Sequence, residues 1–193
     1  MVKFMRALSI LTGTVALIGF AGPIVGADPD KSGYAGQESR SIKALSREDI
    51  AALRKGEGVG MAKAAELNGY PGPLHVLALA RDLRLAETQV SQVTAIRNRM
   101  SAAALLLGAE LIERERLLDR LFAQGQITPE QLTAETAAIG EVQGRLRAVH
   151  LAGRLETCAI LSPEQMAQYN QLRGHAGTGG SARDHPVGHH HDP

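Results

Sequence analysis

The chain has 193 residues, of which 21 are basic and 20 acidic, so its formal net charge is +1 at pH 7. A nearly neutral chain lacks the basic excess of a dedicated nucleic-acid-binding protein, which argues against that class. Aromatic residues make up 3% of the chain, and Ala and Leu dominate the apolar set, a composition that favours helices over strands.

Residues 1–27 have the three parts of a secretory signal peptide. A basic start, MVKFMR, precedes the apolar run ALSILTGTVALIGF, and small residues up to Ala27 offer a cleavage site. We therefore expect an exported, periplasmic protein that begins at Asp28; an uncleaved N-terminal anchor is the alternative. The only cysteine, Cys158, cannot form an internal disulfide. We expect its thiol to be buried, with a bridge between chains as the alternative.

Two short helices are predicted after a polar, flexible lead at 28–43. Within 44–72, the first helix spans Arg47–Lys55 and ends at the glycine-rich segment GEGVG, Gly56–Gly60. The second spans Met61–Leu67 and ends at NGYPGP, whose glycines and prolines stop a helix.

Residues 73–174 are predicted to form an all-α domain with a long antiparallel helical hairpin. After a helix over Leu74–Leu83, the hairpin helices span Glu87–Ala123 and Pro129–Ala159, and a last helix spans Pro163–Arg173. The histidine-rich tail, 175–193, is expected to be disordered. Apolar residues recur at seven-residue spacing along both long helices, with Arg114 as the one interruption: Val93, Met100, Leu107 and Leu121; Ala104, Leu111 and Leu118; Leu132, Ile139, Leu146, Gly153 and Ile160.

One six-residue phrase recurs at helix starts, as ITPEQL, LSPEQM and the looser LSREDI and LAETQV. Thr128 and Ser162 stand where an N-cap accepts a backbone hydrogen bond, and Gln131 and Gln165 can close a capping box. In the LAETQV copy Ala86 occupies the cap, so we expect that start to be weaker by about 1 kcal/mol.

The sequence contains no convincing enzyme site. Ser, His and Asp residues occur, but there is no nucleophile elbow in a strand–turn–helix context. GEGVG follows no strand and is not followed by Gly-Lys-Ser, so we interpret it as a flexible joint and not as a phosphate-binding loop. We therefore predict a non-enzymatic protein that requires no nucleotide.

Histidines are the candidate metal ligands, for Ni, Co, Cu or Zn. His75 and His150 lie in predicted helices, and the rise of 1.5 Å per residue brings them to within about 7 Å along the axis if the helices fold back on one another. Two ligands make an incomplete site, and two unrelated, partly buried histidines are the alternative. Four of the five tail histidines are further candidates, and the three consecutive ones could be the remnant of an affinity tag: His185, His189, His190 and His191.

Taken together, these motifs resemble the Spy/CpxP family of periplasmic proteins. The resemblance covers roughly Pro73–Gly174, with LSPEQMAQYNQLRG at Leu161–Gly174 as its best motif and LRLAETQ at Leu83–Gln89 as a degenerate first copy. GMAKAAELNGYPGPLHVLAL, at Gly60–Leu79, is similar to a subgroup of periplasmic heavy-metal sensors.

The resemblance implies an all-helical, cradle-shaped homodimer that binds unfolded or membrane-associated envelope proteins without ATP. Sensors of the CnrX type hold a metal through His-x3-His and His-x3-Met pairs and a Glu. Here Leu79 follows His75, and Arg154 follows His150, at the partner positions, so half of each pair is missing.

Two functional hypotheses follow from these observations. In the first, a chaperone or envelope-stress regulator holds its clients on apolar side chains, and Arg97, Arg114 and Arg116 add long-range attraction. The charge run ERERLLDR, Glu113–Arg120, is then either a solvated face or one wall of the binding surface. In the second, a heavy-metal sensor or resistance protein uses the histidines.

Overall fold

The computed structural model describes residues 32–175, and within them the chain forms six helices and no strand. Residues 32–36, the described part of a separate N-terminal unit, form turns, and every helix belongs to the unit that begins at Gln37. The predicted all-α class is confirmed. The helices are α1 (Arg47–Arg54), α2 (Lys63–Leu67), α3 (Pro73–Ala78), α4 (Glu87–Ala123), α5 (Pro129–Ile160) and α6 (Pro163–Leu172).

Both long helices match their predicted bounds to within one residue, whereas α3 is shorter than predicted. After Ala78 the chain continues in turns. Arg84 adopts a φ of +49°, in the left-handed region, and redirects the chain into α4. The glycine-rich segment likewise ends the helix before it, with Val59 and Gly60 at positive φ, and α2 therefore begins only at Lys63.

The helices α4 and α5 pack side by side in opposite directions. Ion pairs join Arg99 to Glu156 near one end, at 2.6 Å, and Arg114 to Glu135 near the other, at 3.4 Å. Residues 124–128 form the turn between them. The predicted seven-residue stripes supply most of this contact, and their buried members are Val93, Ala104, Leu107, Leu111, Ile139, Leu146 and Gly153.

One side of the α4–α5 pair is covered by α1. The backbone carbonyl of Leu53 comes so close to α4 that a Cβ on Gly108 would lie 2.6 Å from its oxygen. Ile42 and Leu53 are buried in a core cluster with residues of both long helices. Ile112 of α4, which is not a member of the predicted seven-residue stripes, also belongs to this cluster and so packs within the same chain.

A second cluster lies at the end of the molecule that we call the base, formed by α3, α6 and the adjoining ends of α4 and α5. Its buried members are Val76, Leu83, Val93, Leu161 and Tyr169. The opposite end, around the 124–128 turn, is the tip. Every residue from 128 to 134 is exposed there, so Leu132, predicted to belong to the buried stripe, is not buried.

The signal-peptide residues, the first residues of the lead and nearly all of the tail lie outside the described residues. Of the described helices, none combines the length and the apolar character needed to cross a membrane.

Candidate functional site

A cavity of about 500 Å³ lies on the side of the α4–α5 pair that α1 and the glycine-rich segment cover. Residues 55–63 form one wall, the start of α3 a second, and side chains of α4 and α5 the floor. The chain folds this way because Gly56, at a φ of +70°, packs directly on α4, where an added Cβ would lie 3.0 Å from the Ser101 carbonyl oxygen.

Both histidines singled out in the helices line this cavity. His75 comes from α3, where it is half-buried, and His150 comes from α5, where it is 93% buried with its Nε2 atom lacking a hydrogen-bond partner. The thioether of Met100 is a third soft group in the lining. In the part of the chain that the structure describes, no group of three or more His, Cys, Asp or Glu side chains is placed to hold a metal ion.

The imidazole of His150 lies flat against the glycine-rich segment. A Cβ on Gly58 would sit 3.0 Å from two ring carbons of that imidazole, so only glycine fits there without a shift. Burial, and then the nearby Arg154, lower the pKa of His150. Burial also lowers the pKa of His75, together with Arg173, while Glu66 opposes that effect in part. Both rings are therefore held neutral at pH 7.

An ion-pair network that sequence reasoning missed joins the cavity to the base. Arg154 donates to the Glu66 carboxylate and to the Tyr70 carbonyl, and Arg173 Nε donates to Glu66 at 3.1 Å. The Tyr169 hydroxyl donates to the same carboxylate at 3.3 Å. Burial raises the pKa of Glu66, but the hydrogen bonds and charges of the two arginines outweigh it, so the net shift is downward. Glu66 thus stays ionised and fixes both guanidinium groups.

The lining is strongly cationic although the whole chain is nearly neutral. It contains five basic side chains against two acidic ones, an excess of three positive charges with the histidines neutral. The basic residues are Lys55, Lys63, Arg97, Arg154 and Arg173, and the acidic residues are Glu57 and Glu66.

The three arginines predicted to attract clients lie in different surroundings. Arg97 lines the cavity, Arg114 pairs with Glu135 of α5, and Arg116 pairs with Glu113 on its own helix. The sequence could have shown that they do not form one surface, because Arg114 and Arg116 follow Arg97 by 17 and 19 positions and therefore lie on other faces of the helix.

The side of the α4–α5 pair opposite α1 forms what we call the open face. It consists of residues spaced by three, four or seven positions around two cross-helix ion pairs: Arg99, Ala103, Leu106 and Glu110 of α4, and Arg145, Val149, Ala152 and Glu156 of α5. Leu106 is 76% exposed between these pairs. Just beyond this face, Leu155 is 59% exposed.

The predicted caps are present. Thr128 Oγ1 accepts from the backbone of Gln131 and Ser162 Oγ from that of Gln165, each at 3.2 Å, and both capping boxes close. Ala86 has no side-chain acceptor, so α4 begins with half a box.

Two other predicted features have different outcomes. The thiol of Cys158 is half-buried, and burial raises its pKa, whereas a fully buried thiol was expected. The four candidate ligands in the tail lie outside the described residues: His185, His189, His190 and His191.

No family model, curated protein or solved structure matches this chain. The chain's own residues therefore carry the functional argument.

Proposed function

We propose that the protein is a non-enzymatic, ATP-independent binding protein of the periplasm, of the Spy/CpxP type, that holds unfolded or membrane-associated envelope proteins. The open face is the observation that supports this proposal. Leu106 is 76% exposed there, and Leu155, just beyond the face, is 59% exposed. We take these two leucines as parts of one exposed apolar patch, the kind of surface that marks an interaction site.

The ion pairs that flank Leu106 support binding without strong sequence preference. Arg99 with Glu156, and Glu110 with Arg145, place both signs of charge on each helix. The small side chain of Ala103 leaves room between the charged side chains. A surface of this kind offers an apolar contact to any unfolded segment, and its exposed charges provide long-range attraction.

A homodimer belongs to the same proposal. In a twofold arrangement each copy presents the same surface to the other. Contact along the edges beside the two open faces would leave Leu106 of both copies exposed in a cradle lined by four long helices. Size-exclusion chromatography with light scattering would measure the mass; a monomer at all concentrations would contradict this part of the proposal.

An aggregation assay tests client binding. At severalfold molar excess and without nucleotide, the full-length protein should suppress the aggregation of a chemically unfolded test protein. Leu106→Asp should lose most of this suppression, because it replaces the exposed apolar contact with a charge. Leu172→Asp is the matched control, since Leu172 is an exposed leucine of α6. Absence of suppression by the unmodified protein would refute the proposal.

A heavy-metal sensor is the second candidate, because His75, His150 and Met100 line one cavity. Neutral imidazoles and a thioether suit Cu(I) above the harder ions among Ni, Co, Cu and Zn. Calorimetry on the full-length protein would compare replacement of His75 and His150 by Gln with replacement of the four tail histidines. If only the tail replacements abolish binding, the folded domain is not a sensor.

A further inference from the structure

We propose that the cavity beside His150 binds a small organic anion, a carboxylate attached to an apolar body. This site is separate from the open face, so it does not depend on the proposed function. The charge of the lining motivates it, because an excess of three positive charges is gathered around one cavity in a chain whose net charge is +1. Lys55, Lys63 and Arg97 are exposed, and a concentration of one sign of charge around a cavity attracts the opposite charge from solution.

Three of the five cations are available to a ligand. Arg154 and Arg173 already share the Glu66 carboxylate, which neutralises one of their charges. Within residues 32–175, Lys55, Lys63 and Arg97 form no ion pair. Arg97 is the strongest candidate for direct contact, because a guanidinium matches a carboxylate with two parallel N–H donors.

His150 supplies a polar group that has no partner in the protein. Its ring is 93% buried, its Nε2 atom lacks a hydrogen bond, and it lines the cavity. A buried nitrogen without a partner costs free energy. Because Nε2 has less than 1 Å² of accessible surface, a ligand oxygen that satisfies it must displace the covering segment at Gly58, and the neutral ring must carry its proton on Nε2. Gly58 holds the ring in place, because any side chain there would meet the imidazole.

The remainder of the lining favours an apolar body over a bare inorganic anion. Met100, Pro73 and Leu74 line the same cavity and present apolar surface beside the cations. A volume of about 500 Å³ exceeds what phosphate or acetate would fill and falls within the usual range for small-molecule sites. The same positive charge disfavours a metal cation at His75 and His150, so metal and anion are competing occupants that a titration can separate.

The test is a calorimetric titration of the full-length protein with 4-phenylbutyrate, with its uncharged amide and with inorganic phosphate. We expect saturable binding of the carboxylate, and binding at least about tenfold weaker for the amide, which cannot accept charge-assisted bonds in the same way. Phosphate should also bind at least about tenfold more weakly, because it leaves the apolar wall unfilled. Equal binding of acid and amide, or no heat from the acid up to about 10 mM, would overturn the proposal.

Two arginines of one helix provide matched variants. Arg97→Ala should weaken 4-phenylbutyrate binding about tenfold, since it removes a charged donor from the lining. Arg99→Ala removes the same charge two residues away, from the open face, and should change binding less than about twofold. Equal effects of the two variants would show attraction by net charge alone and contradict the site.

The location of binding has its own measurement. Arg97 is exposed, so Arg97→Ala should keep the thermal unfolding temperature of the unmodified protein. In ¹H–¹⁵N spectra, 4-phenylbutyrate should shift the Gly58 amide, which lies against the His150 ring. Shifts confined to residues around Leu106 would place the ligand on the open face and refute the assignment.

Discussion

The base and the tip use the same helix-start phrase in different ways. At the base the side-chain amides of Gln89 and Gln165 donate to each other at 2.9 and 3.1 Å. Each also donates to a backbone carbonyl beside the other's helix, of Ile160 and Leu83 respectively. At the tip Gln131 closes its own capping box only.

The comparison shows that the helix-start phrase, which acts locally at the tip, also forms tertiary hydrogen bonds where two of its copies come together in the fold. Each base glutamine also accepts from the backbone N–H of its own N-cap residue, so both amides use two donors and two acceptors. These hydrogen bonds thereby connect the chain segment that leads into α4 with the one that leads into α6. The start of α4 has no N-cap side chain at Ala86, but the Gln89 side chain ties it to Ile160 and Gln165.

The two ends also differ in packing, and again the base is the more closely packed end. Tyr169 is fully buried in the base cluster, whereas Phe122 is 57% exposed near the tip. The two ends therefore differ in how much stability each contributes, and substitutions measure that difference.

The largest expected effect comes from truncating the two aromatic residues. Tyr169→Ala should lower the free energy of unfolding by about 3–5 kcal/mol, because it leaves a large cavity and removes a hydroxyl bonded to Glu66. Phe122→Ala should cost less than about 1 kcal/mol, since most of that ring is already in water. Urea unfolding followed by circular dichroism would measure both. Equal losses would show that the two ends are packed alike and would remove the contrast.

A smaller effect is expected from neutralising one carboxylate. Glu66→Gln should cost about 2–3 kcal/mol, because it leaves Arg154, whose side chain is only 12% exposed, without its charged partner. Glu156→Gln breaks the exposed pair with Arg99 and should cost no more than about 1 kcal/mol. The same unfolding experiment applies. A loss for Glu66→Gln no greater than that for Glu156→Gln would contradict the role assigned to the network.

The repeated phrase itself gives the next prediction. Gln165→Ala should cost about 2 kcal/mol, because it opens a capping box, removes both bonds between the Gln165 and Gln89 amides and leaves the Leu83 carbonyl without its donor. Gln131→Ala should cost about 0.5 kcal/mol, since only a solvent-exposed box is lost. If the double variant Gln89→Ala/Gln165→Ala equals the sum of the single variants, the two amides are not coupled.

The sequence predicts the long helices well because their signals are local. Caps, prolines at the first turn and seven-residue apolar spacing all act within one or two turns, and the bounds of α4 and α5 follow from them. The end of α3 was missed because the chain turns there to bury Leu83 in a cluster assembled from distant residues. Leu132 was misplaced for a similar reason, since a stripe is buried only where another element covers it.

The candidate site was predicted only in part. A rise of 1.5 Å per residue sufficed to bring His75 and His150 to one end of the folded helices, and both line the cavity. Glu66 and Arg154 are 88 positions apart, and nothing local in the sequence links them. Their pairing depends on how α2 docks on α5, which the amphipathic pattern of either helix does not specify. The glycines of GEGVG predicted a flexible joint between two helices, but they did not predict that the His150 imidazole would lie against Gly58.

Acid provides the last comparison, because the Glu66 carboxylate lies in a network with two arginines, whereas the Glu156 carboxylate lies in an exposed pair with Arg99. Arginine contacts hold the pKa of Glu66 below its ordinary value of 4.5, although burial raises it. Below pH 4.5 the unfolded chain therefore binds the proton first, so this contribution is fully present above pH 4.5 and is lost as pH falls through the folded pKa. The slope for one such group is at most about 1.4 kcal/mol per pH unit. Glu66→Gln should flatten the stability profile below about pH 4.5, and Glu156→Gln should leave it steeper; identical profiles for the two variants would show that acid acts on the molecule elsewhere than at the base.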